Sequence, residues 1–204
     1  VIPQVSCRPL NFEVTFAEPF IFDVMPFMIE LAKADAKEPG TRRRAYADPT
    51  FREKLRSEVT PLFRNWWDRV VIAWAPSHKE LEEQPLTKAA AMLGKDPVDL
   101  ALDLALANDL QARFRMAVMN FDEQEVAELI TDPNTIIALS DAGAHASQLC
   151  DACYSTHLLG HWVREKKTLT IEQGVYHLTQ RPAEMFGITD RGVLAQGKIG
   201  RAHV

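Results

Sequence analysis

The sequence contains little of what marks several large classes of protein. It has only 3 cysteines in 204 residues, an odd number without regular spacing, which argues against a disulfide-stapled secreted domain. No apolar stretch is long enough to cross a bilayer. Acidic residues outnumber basic ones, 28 against 23, and the net charge is -5. Because phosphate contacts need a basic surface, this balance argues against a nucleic-acid partner.

The one basic run is the triplet at residues 42–44, which we expect to be a solvated loop. Hydrophobic residues make up 47% of the chain and charged residues 25%. Such a composition is typical of a globular domain with a sizeable core. No signal peptide begins the chain, but this absence means little because the start of the chain itself is unusual. We expect a cytoplasmic location.

The two ends of the chain are unusual. No initiator methionine is present, and residues 1–6 have the pattern of a strand already under way. We therefore expect the chain to lack the N-terminal half of a longer protein. Residues 199–204 match the translation of ATC GGA AGA GCA CAC GTC, a common sequencing adapter, and we interpret them as an artefact. We expect this tail to pack against nothing.

Apolar segments with strand and helix patterns alternate along the chain. Strands are predicted at residues 1–7, 69–74, 114–119 and 135–139, and helices at 48–59, 86–93, 97–108, 123–131, 154–165, 171–180 and 182–186. Residues 11–39 contain Pro19 and Pro26 and are expected to be a loop with short helical pieces. The alternation predicts an α/β fold with a largely parallel sheet.

Residues 135–139 read TIIAL, the pattern of a strand buried on both faces, and lead directly into Ser140 and Asp141. At the carboxyl end of a barrel strand, Asp141 would face an active site. An aspartate that follows a strand also commonly caps the next helix or loop. Spacing alone leaves both interpretations open.

Five short stretches, taken in order, resemble the C-terminal portion of the amidohydrolase superfamily and, more narrowly, N-acyl-D-amino-acid deacylases. They are GKDPVD at 94–99, FDEQEV at 121–126, IALSD at 137–141, LTQRPA at 178–183 and GITDRGVL at 187–194. Gly197 completes a DRG-x-L-x-x-G pattern that begins at Asp190. Together the stretches extend over more than half of the chain.

This resemblance implies an α/β fold that is the C-terminal part of a (β/α)8 TIM-type barrel, incomplete in this chain. Residues 1–198 would hold the last two barrel strands, an inserted segment and C-terminal helices. The implied reaction is hydrolysis of an N-acyl-D-amino acid, or of a related amide, to a carboxylate and an amine. The implied cofactor is a divalent metal, zinc, whose ligands include an H-x-H pair in the missing part.

The resemblance implies that Asp141 is the catalytic residue and that it could also be a metal ligand. A metal-bound water has a pKa lowered toward neutrality, and a nearby carboxylate can take its proton during attack on the amide carbon. The same carboxylate then gives the proton to the leaving amine. No other metal ligand is expected within this chain.

Two further residues are candidates for substrate binding. Several relatives follow the catalytic aspartate with His-Pro-Arg, whose arginine grips the substrate carboxylate, whereas this chain has His145-Ala146-Ser147. His145 is therefore a candidate for the pocket wall, and Arg8, at the end of the first strand, is an alternative anion binder. Because the His-Pro-Arg stretch is missing, the preference for D-amino acids stays open. Arg8 could instead be a surface arginine or one that braces a loop.

Other functions stay open as well. His157 and His161 stand four residues apart, a spacing that can bind metal on a helix but that more often places histidines on a helix face or in a core. Cys150 and Cys153 form a lone C-x-x-C, which is a weak signal for a redox or zinc module because a structural zinc site needs four ligands. A non-catalytic homologue is the remaining alternative.

Overall fold

The computed structural model describes residues 1–22, 25–62, 67–138 and 152–200 of the chain. The strands assigned there are β1 (Gln4–Val5), β2 (Leu10–Thr15), β3 (Val70–Trp74), β4 (Arg113–Met119) and β5 (Ile136–Ile137). The α-helices are α1 (Pro26–Lys37), α2 (Thr41–Ala47), α3 (Pro49–Leu62), α4 (Leu86–Leu93), α5 (Pro97–Ala107), α6 (Glu123–Thr131), α7 (Tyr154–His157), α8 (Ile171–Leu178) and α9 (Gln180–Met185). A π-helix covers Leu158–Glu165, and 3-10 turns cover Phe20–Phe22, Trp67–Arg69 and Pro76–Leu81.

The chain divides into two compact units. The first joins Val1–Leu10 to Val118–Val204, and the second is Asn11–Ala117. The fold class is mixed α/β, with a two-stranded sheet β1-β5 and a three-stranded sheet β2-β4-β3, both open. Within the part of the chain that the structure describes, no helix is both long and apolar enough to span a membrane.

In the first unit, β1 and β5 pair in parallel with Val5 opposite Ile137. This confirms the prediction that two chain-distant segments form adjacent parallel strands, although each strand is shorter than expected. The core beneath them consists of Val5, Cys7, Val126, Ile130, Ile137, Leu158, Trp162 and Leu169. Residues of α6 and of the π-helix thus cover the strand pair, and the burial of each large side chain contributes about 1.5–3 kcal/mol.

The helices of this unit begin where the capping residues predict. Asp122 accepts hydrogen bonds from the backbone N–H groups of Gln124 and Glu125, which starts α6. Thr170 and Gln173 form a reciprocal capping box at the start of α8. The segment predicted as one helix over residues 154–165 is different, because its α-helical turn passes into the π-helix after His157.

The GITDRG stretch forms a helix end and a tight turn. Gly187 ends α9 at φ +66°, with its N–H bonded to the Glu184 carbonyl and the N–H of Ile188 bonded to the Ala183 carbonyl. This is a Schellman motif, which favours glycine because of the left-handed backbone. Gly192 has φ +97°, and a Cβ atom there would lie 2.8 Å from the Ala183 Cβ.

We expect Gly192→Ala to destabilise the chain more than Gly187→Ala does. Both residues have positive φ, but a Cβ at Gly187 meets nothing within 4 Å, whereas one at Gly192 overlaps Ala183. The difference between the two variants should therefore be about 1–3 kcal/mol, the cost of overpacking. Urea unfolding followed by circular dichroism measures it, and equal midpoints for the two variants would show that the contact is unimportant.

In the second unit the strands do not run in the predicted parallel direction. The predicted strands β3 and β4 are both present, but they pair antiparallel, with Val70 opposite Met116 and Ile72 opposite Phe114. The expectation of a largely parallel sheet is therefore wrong for this unit. In β3, buried Val70 and Ile72 alternate with partly exposed neighbours, as in a sheet with one solvated face.

The prediction that residues 11–39 are mainly loop is wrong. This segment contains most of β2 and the whole of the twelve-residue helix α1. Pro26 does not interrupt a helix but occupies its first turn, where the missing N–H costs no hydrogen bond. Phe16 packs against Tyr46 and Phe114 with ring centroids 5.4 and 5.6 Å away, so this segment belongs to the core.

The basic triplet at residues 42–44 is also not a solvated loop. It lies within α2, and Arg42 is only 8% exposed. The Arg42 backbone N–H donates to Asp35 Oδ1 at 2.9 Å, and its Nε lies 3.8 Å from Asp35 Oδ2. Because Arg42 is buried beside Asp35, the triplet adds less positive charge to the surface of α2 than the sequence indicates.

The C-terminal segment makes at least one backbone contact. Ile199 donates its N–H to the Asp190 carbonyl at 2.7 Å, while its side chain stays 54% exposed. The expectation that the tail packs against nothing is therefore wrong at its first residue. Residues 201–204 lie outside the described residues.

Candidate functional site

The carboxyl ends of β1 and β5 leave the two-stranded sheet at the same edge. The N–H of Ile136 bonds to the Pro3 carbonyl and that of Ala138 to the Val5 carbonyl, each at 3.1 Å. Because the strands are parallel, Arg8 after β1 and Ala138 after β5 lie at the same edge, where each strand ends. In α/β sheets this is the edge where ligands bind. Asp141 and His145 follow Ala138 in the chain but lie outside the described residues.

Arg8 is held at this edge by a contact with the residue that precedes α7. Its Nη1 donates to Cys153 Sγ at 2.8 Å, and Arg8 as a whole is partly buried. Burial lowers the pKa of His157, and electrostatic interactions with His161 and Arg8 lower it further. Arg8 therefore acts on the start of the π-helix as well as on the strand end.

Cys7 is fully buried beneath this edge. Its Sγ donates to the Tyr154 carbonyl at 3.3 Å, and its own carbonyl accepts a 2.5 Å hydrogen bond from the Trp162 Nε1. Burial raises the pKa of the Cys7 thiol to about 11. The thiol is therefore protonated at neutral pH and acts as a hydrogen-bond donor.

His157 and His161 stack on one another in the structure, with ring centroids 4.8 Å apart. The His161 Nε2 lies 2.9 Å from Glu123 Oε1, and its Nδ1 lies 3.2 Å from Glu165 Oε2. Lys166 also contacts Glu123 and, by its hydrogen bond, lowers the pKa of that carboxyl. His161 thus connects the π-helix to the start of α6.

The described residues contain no group of three or more His, Cys, Asp or Glu side chains placed to hold a metal ion. His157 and His161 therefore have the spacing of a metal pair, but in that part of the chain they and the two glutamates beside His161 do not form a group placed to hold a metal. Of the C-x-x-C cysteines, Cys153 is exposed and free of disulfide, and Cys150 lies outside the described residues. Sequence reasoning missed the contacts of Arg8 with Cys153 and of Cys7 with Tyr154, since no local pattern links positions so far apart.

A family model described as amidohydrolase family matches residues 30–200. The chain belongs to the amidohydrolase family. This match includes the segment around Asp141 that the motif comparison singled out. It confirms the family resemblance seen in the sequence.

The amidohydrolase chain is similar to several proteins over part of their length. N-acyl-D-glutamate deacylase of Alcaligenes xylosoxydans xylosoxydans is 35% identical over 133 residues, which are 64% of this chain and 25% of that protein. D-aminoacylase of the same organism is 29% identical over 131 residues, 63% of this chain and 25% of that protein. An uncharacterized protein of Mycobacterium tuberculosis is 30% identical over 167 residues, 76% of this chain and 27% of that protein.

Among solved structures, the chain is similar to N-acyl-D-glutamate deacylase from Bordetella bronchiseptica, complexed with zinc and a phosphonate inhibitor. The identity is 30%, the TM-score is 0.36, and the match covers 64% of this chain and 26% of that one. The amidohydrolase chain thus spans about a quarter of the length of the relatives it matches.

Proposed function

We propose that the protein to which this chain belongs hydrolyses an N-acyl-D-amino acid to a carboxylate and a free D-amino acid. The observation that carries the proposal is the amidohydrolase family match over residues 30–200, which includes Asp141. The similarity to proteins named N-acyl-D-glutamate deacylase, D-aminoacylase and N-acyl-D-aspartate deacylase supports this substrate class. Residues 1–198 would then be the C-terminal part of the catalytic barrel.

We assign the proton transfers to Asp141. Its carboxylate would take a proton from the attacking water as the C–O bond forms at the amide carbon. It would then deliver that proton to the amide nitrogen as the C–N bond breaks, because an unprotonated amine leaves poorly. Positioned acid–base groups of this kind typically accelerate a reaction by about 10²–10⁴-fold.

Zinc is the cofactor that we propose, with ligands outside the described residues and Asp141 as a candidate additional ligand. Its chemistry would be activation of water. The described residues do not by themselves provide a metal site. The acid–base role proposed for Asp141 is argued from the chemistry of its carboxylate and does not depend on which residues hold the metal.

Arg8 is the residue that we propose for the substrate carboxylate. It stands at the sheet edge from which the Asp141 segment also begins, and its guanidinium suits a carboxylate because two N–H groups match two oxygens. His145 follows Asp141 by four residues and is the candidate for the pocket wall. Neither role is needed for the proton transfers of Asp141.

We expect Arg8→Ala to raise KM for an N-acyl-D-amino acid by about 10–100-fold, with a smaller change in kcat. This range corresponds to one hydrogen bond to a charged group, about 1.5–3 kcal/mol. Steady-state kinetics on the intact enzyme measure it. Arg164→Ala is the matched control, because the Arg164 side chain is 78% exposed and pairs at the surface with Glu165.

The substrate offers a second control for the Arg8 assignment. For the corresponding N-acyl-D-amino-acid amide, which has no carboxylate, the two arginine variants should behave alike. If Arg8→Ala raises KM equally for the acid and the amide, Arg8 braces the strand end and does not bind the carboxylate.

The activity itself is tested on the intact protein with paired N-acyl-D- and N-acyl-L-amino acids, by measuring the free amine released. Release from the D-isomers alone supports the proposal. Release only from L-isomers or from cyclic amides identifies an amidohydrolase of another specificity. No release from any amide, with metal bound, indicates a non-catalytic homologue.

A further inference from the structure

We propose that Cys7 and Cys153 form a modification site, in which the two thiols become a disulfide by reaction with a low-molecular-weight disulfide. The site joins the end of β1 to the start of α7 and lies in the first unit. It was not visible in the sequence, where Cys153 pairs by spacing with Cys150. The proposal does not depend on the hydrolase activity.

The geometry points to this pair through two crossed contacts. The Cys7 Sγ lies 3.3 Å from the carbonyl oxygen of Tyr154, the residue that follows Cys153. The Cys153 Sγ lies 2.8 Å from Nη1 of Arg8, the residue that follows Cys7. Each cysteine therefore contacts the chain neighbour of the other, and Cys153 is near enough to act electrostatically on Cys7, from which we infer that the two thiols are within reach of one another. A disulfide requires such proximity, with Cα atoms usually about 4.4–6.8 Å apart.

Backbone hydrogen bonds hold both cysteines in place. The Trp162 indole N–H donates to the Cys7 carbonyl at 2.5 Å, and Trp162 is only 3% exposed. The Cys153 carbonyl accepts the N–H of His157 at 2.9 Å. The backbone at both cysteines is thus held in place by buried or helical hydrogen bonds in the folded state.

The unequal exposure of the two thiols sets the order of reaction. Cys153 is exposed and Cys7 is buried, so a small disulfide reaches Cys153 first. The Cys153 thiolate attacks one sulfur of the reagent and forms a mixed disulfide, and one reagent thiol leaves. Cys7 then loses its proton to solvent and attacks the Cys153 sulfur, and the second reagent thiol leaves. The two protein thiols are oxidised, and the reagent is reduced to two thiols.

The second step is slow at neutral pH. Burial holds the pKa of Cys7 at about 11, so only roughly one thiol in ten thousand is ionised at pH 7. The ionisable groups that act on Cys7 are Arg8, which lowers this pKa, and Cys153, which raises it. The core side chains around Cys7 from α6 and the π-helix are Val126, Ile130, Leu158 and Trp162, none of which titrates. Closure of the disulfide should therefore quicken as the pH rises toward 11.

The test uses the intact protein, oxidised glutathione as the reagent, and peptide mapping under non-reducing conditions. A protease that cleaves before aspartate separates Cys150 from Cys153 at Asp151, so the two cysteines fall on different peptides. We expect a cross-linked species that joins the N-terminal peptide of Cys7 to the peptide of Cys153. A Cys150–Cys153 link, or a mixed disulfide at Cys153 that never resolves at raised pH, overturns the proposal.

Two variants keep the test independent of folding defects at buried Cys7. In Cys153→Ser, an exposed position, the Cys7 thiol should remain free after the same treatment and react with an alkylating reagent once the protein is denatured. In Cys150→Ser, the Cys7–Cys153 link should still form to at least the wild-type extent. Oxidation of Cys7 in the first variant, or loss of the link in the second, contradicts the assignment.

Discussion

Under the proposed function, Asp141→Asn in the intact protein should lower kcat/KM for an N-acyl-D-amino acid by about 10²–10⁴-fold or more. Asparagine keeps the size of the side chain and part of its hydrogen bonding, so the fold should survive. It cannot accept a proton from the attacking water, so general-base assistance is lost. It also has no proton to return to the amine, and the defect should be deepest for amides with poor leaving groups.

The measurement needs the metal content of the same sample. Asp109→Asn is the matched control, because the Asp109 side chain is 91% exposed and its substitution should leave the rate unchanged. A near-wild-type rate in Asp141→Asn removes Asp141 from the proton transfers. An inactive variant that has also lost its metal would make Asp141 chiefly a ligand.

In the folded chain, Ile130→Ala should lower the free energy of unfolding by about 2–5 kcal/mol. Ile130 of α6 is fully buried in the core beneath β1 and β5, together with Cys7 and Trp162. Removing most of its side chain takes away apolar contacts and leaves a cavity, because a packed core relaxes only in part. The measurement is the urea midpoint, with the slope checked for constancy.

The adjacent residue on the same helix is the matched control. Leu129 is 42% exposed, so Leu129→Ala should cost less than about 1 kcal/mol while changing helix propensity in a similar way. Equal losses in the two variants would mean that α6 does not pack on the strand pair as described. A loss of stability confined to Ile130→Ala also supports the burial of Cys7, since the two side chains belong to the same core.

Local signals predicted the helices that begin with a capping side chain, but not α1 or α2. Asp122 and Thr170 cap the helices that follow them, and α4 has the predicted bounds. These successes share a cause, because a cap is satisfied within a few residues of chain and an amphipathic pattern repeats within one helix. The family, too, was identified from short stretches whose order and spacing are properties of the sequence.

Strand direction could not be obtained in this way. The alternation in β3 shows that one face is buried, but it does not encode whether the partner strand runs parallel or antiparallel. The alternation of strands and helices predicted a largely parallel sheet, which is correct for β1 and β5 and wrong for β3 and β4. The burial of Arg42 was missed because Asp35, its partner, lies on another helix.

The sequence by itself therefore determined the family and the helix boundaries near their caps; the role of Asp141 in proton transfer stays a prediction. Only the tertiary structure brought Arg8 to Cys153 and Cys7 to Tyr154, across sequence separations of 145 and 147 residues. Contacts over such separations form because two parallel strands and the helices packed on them bring distant segments together. A local pattern records what each residue prefers, burial or exposure, but not which residue it meets.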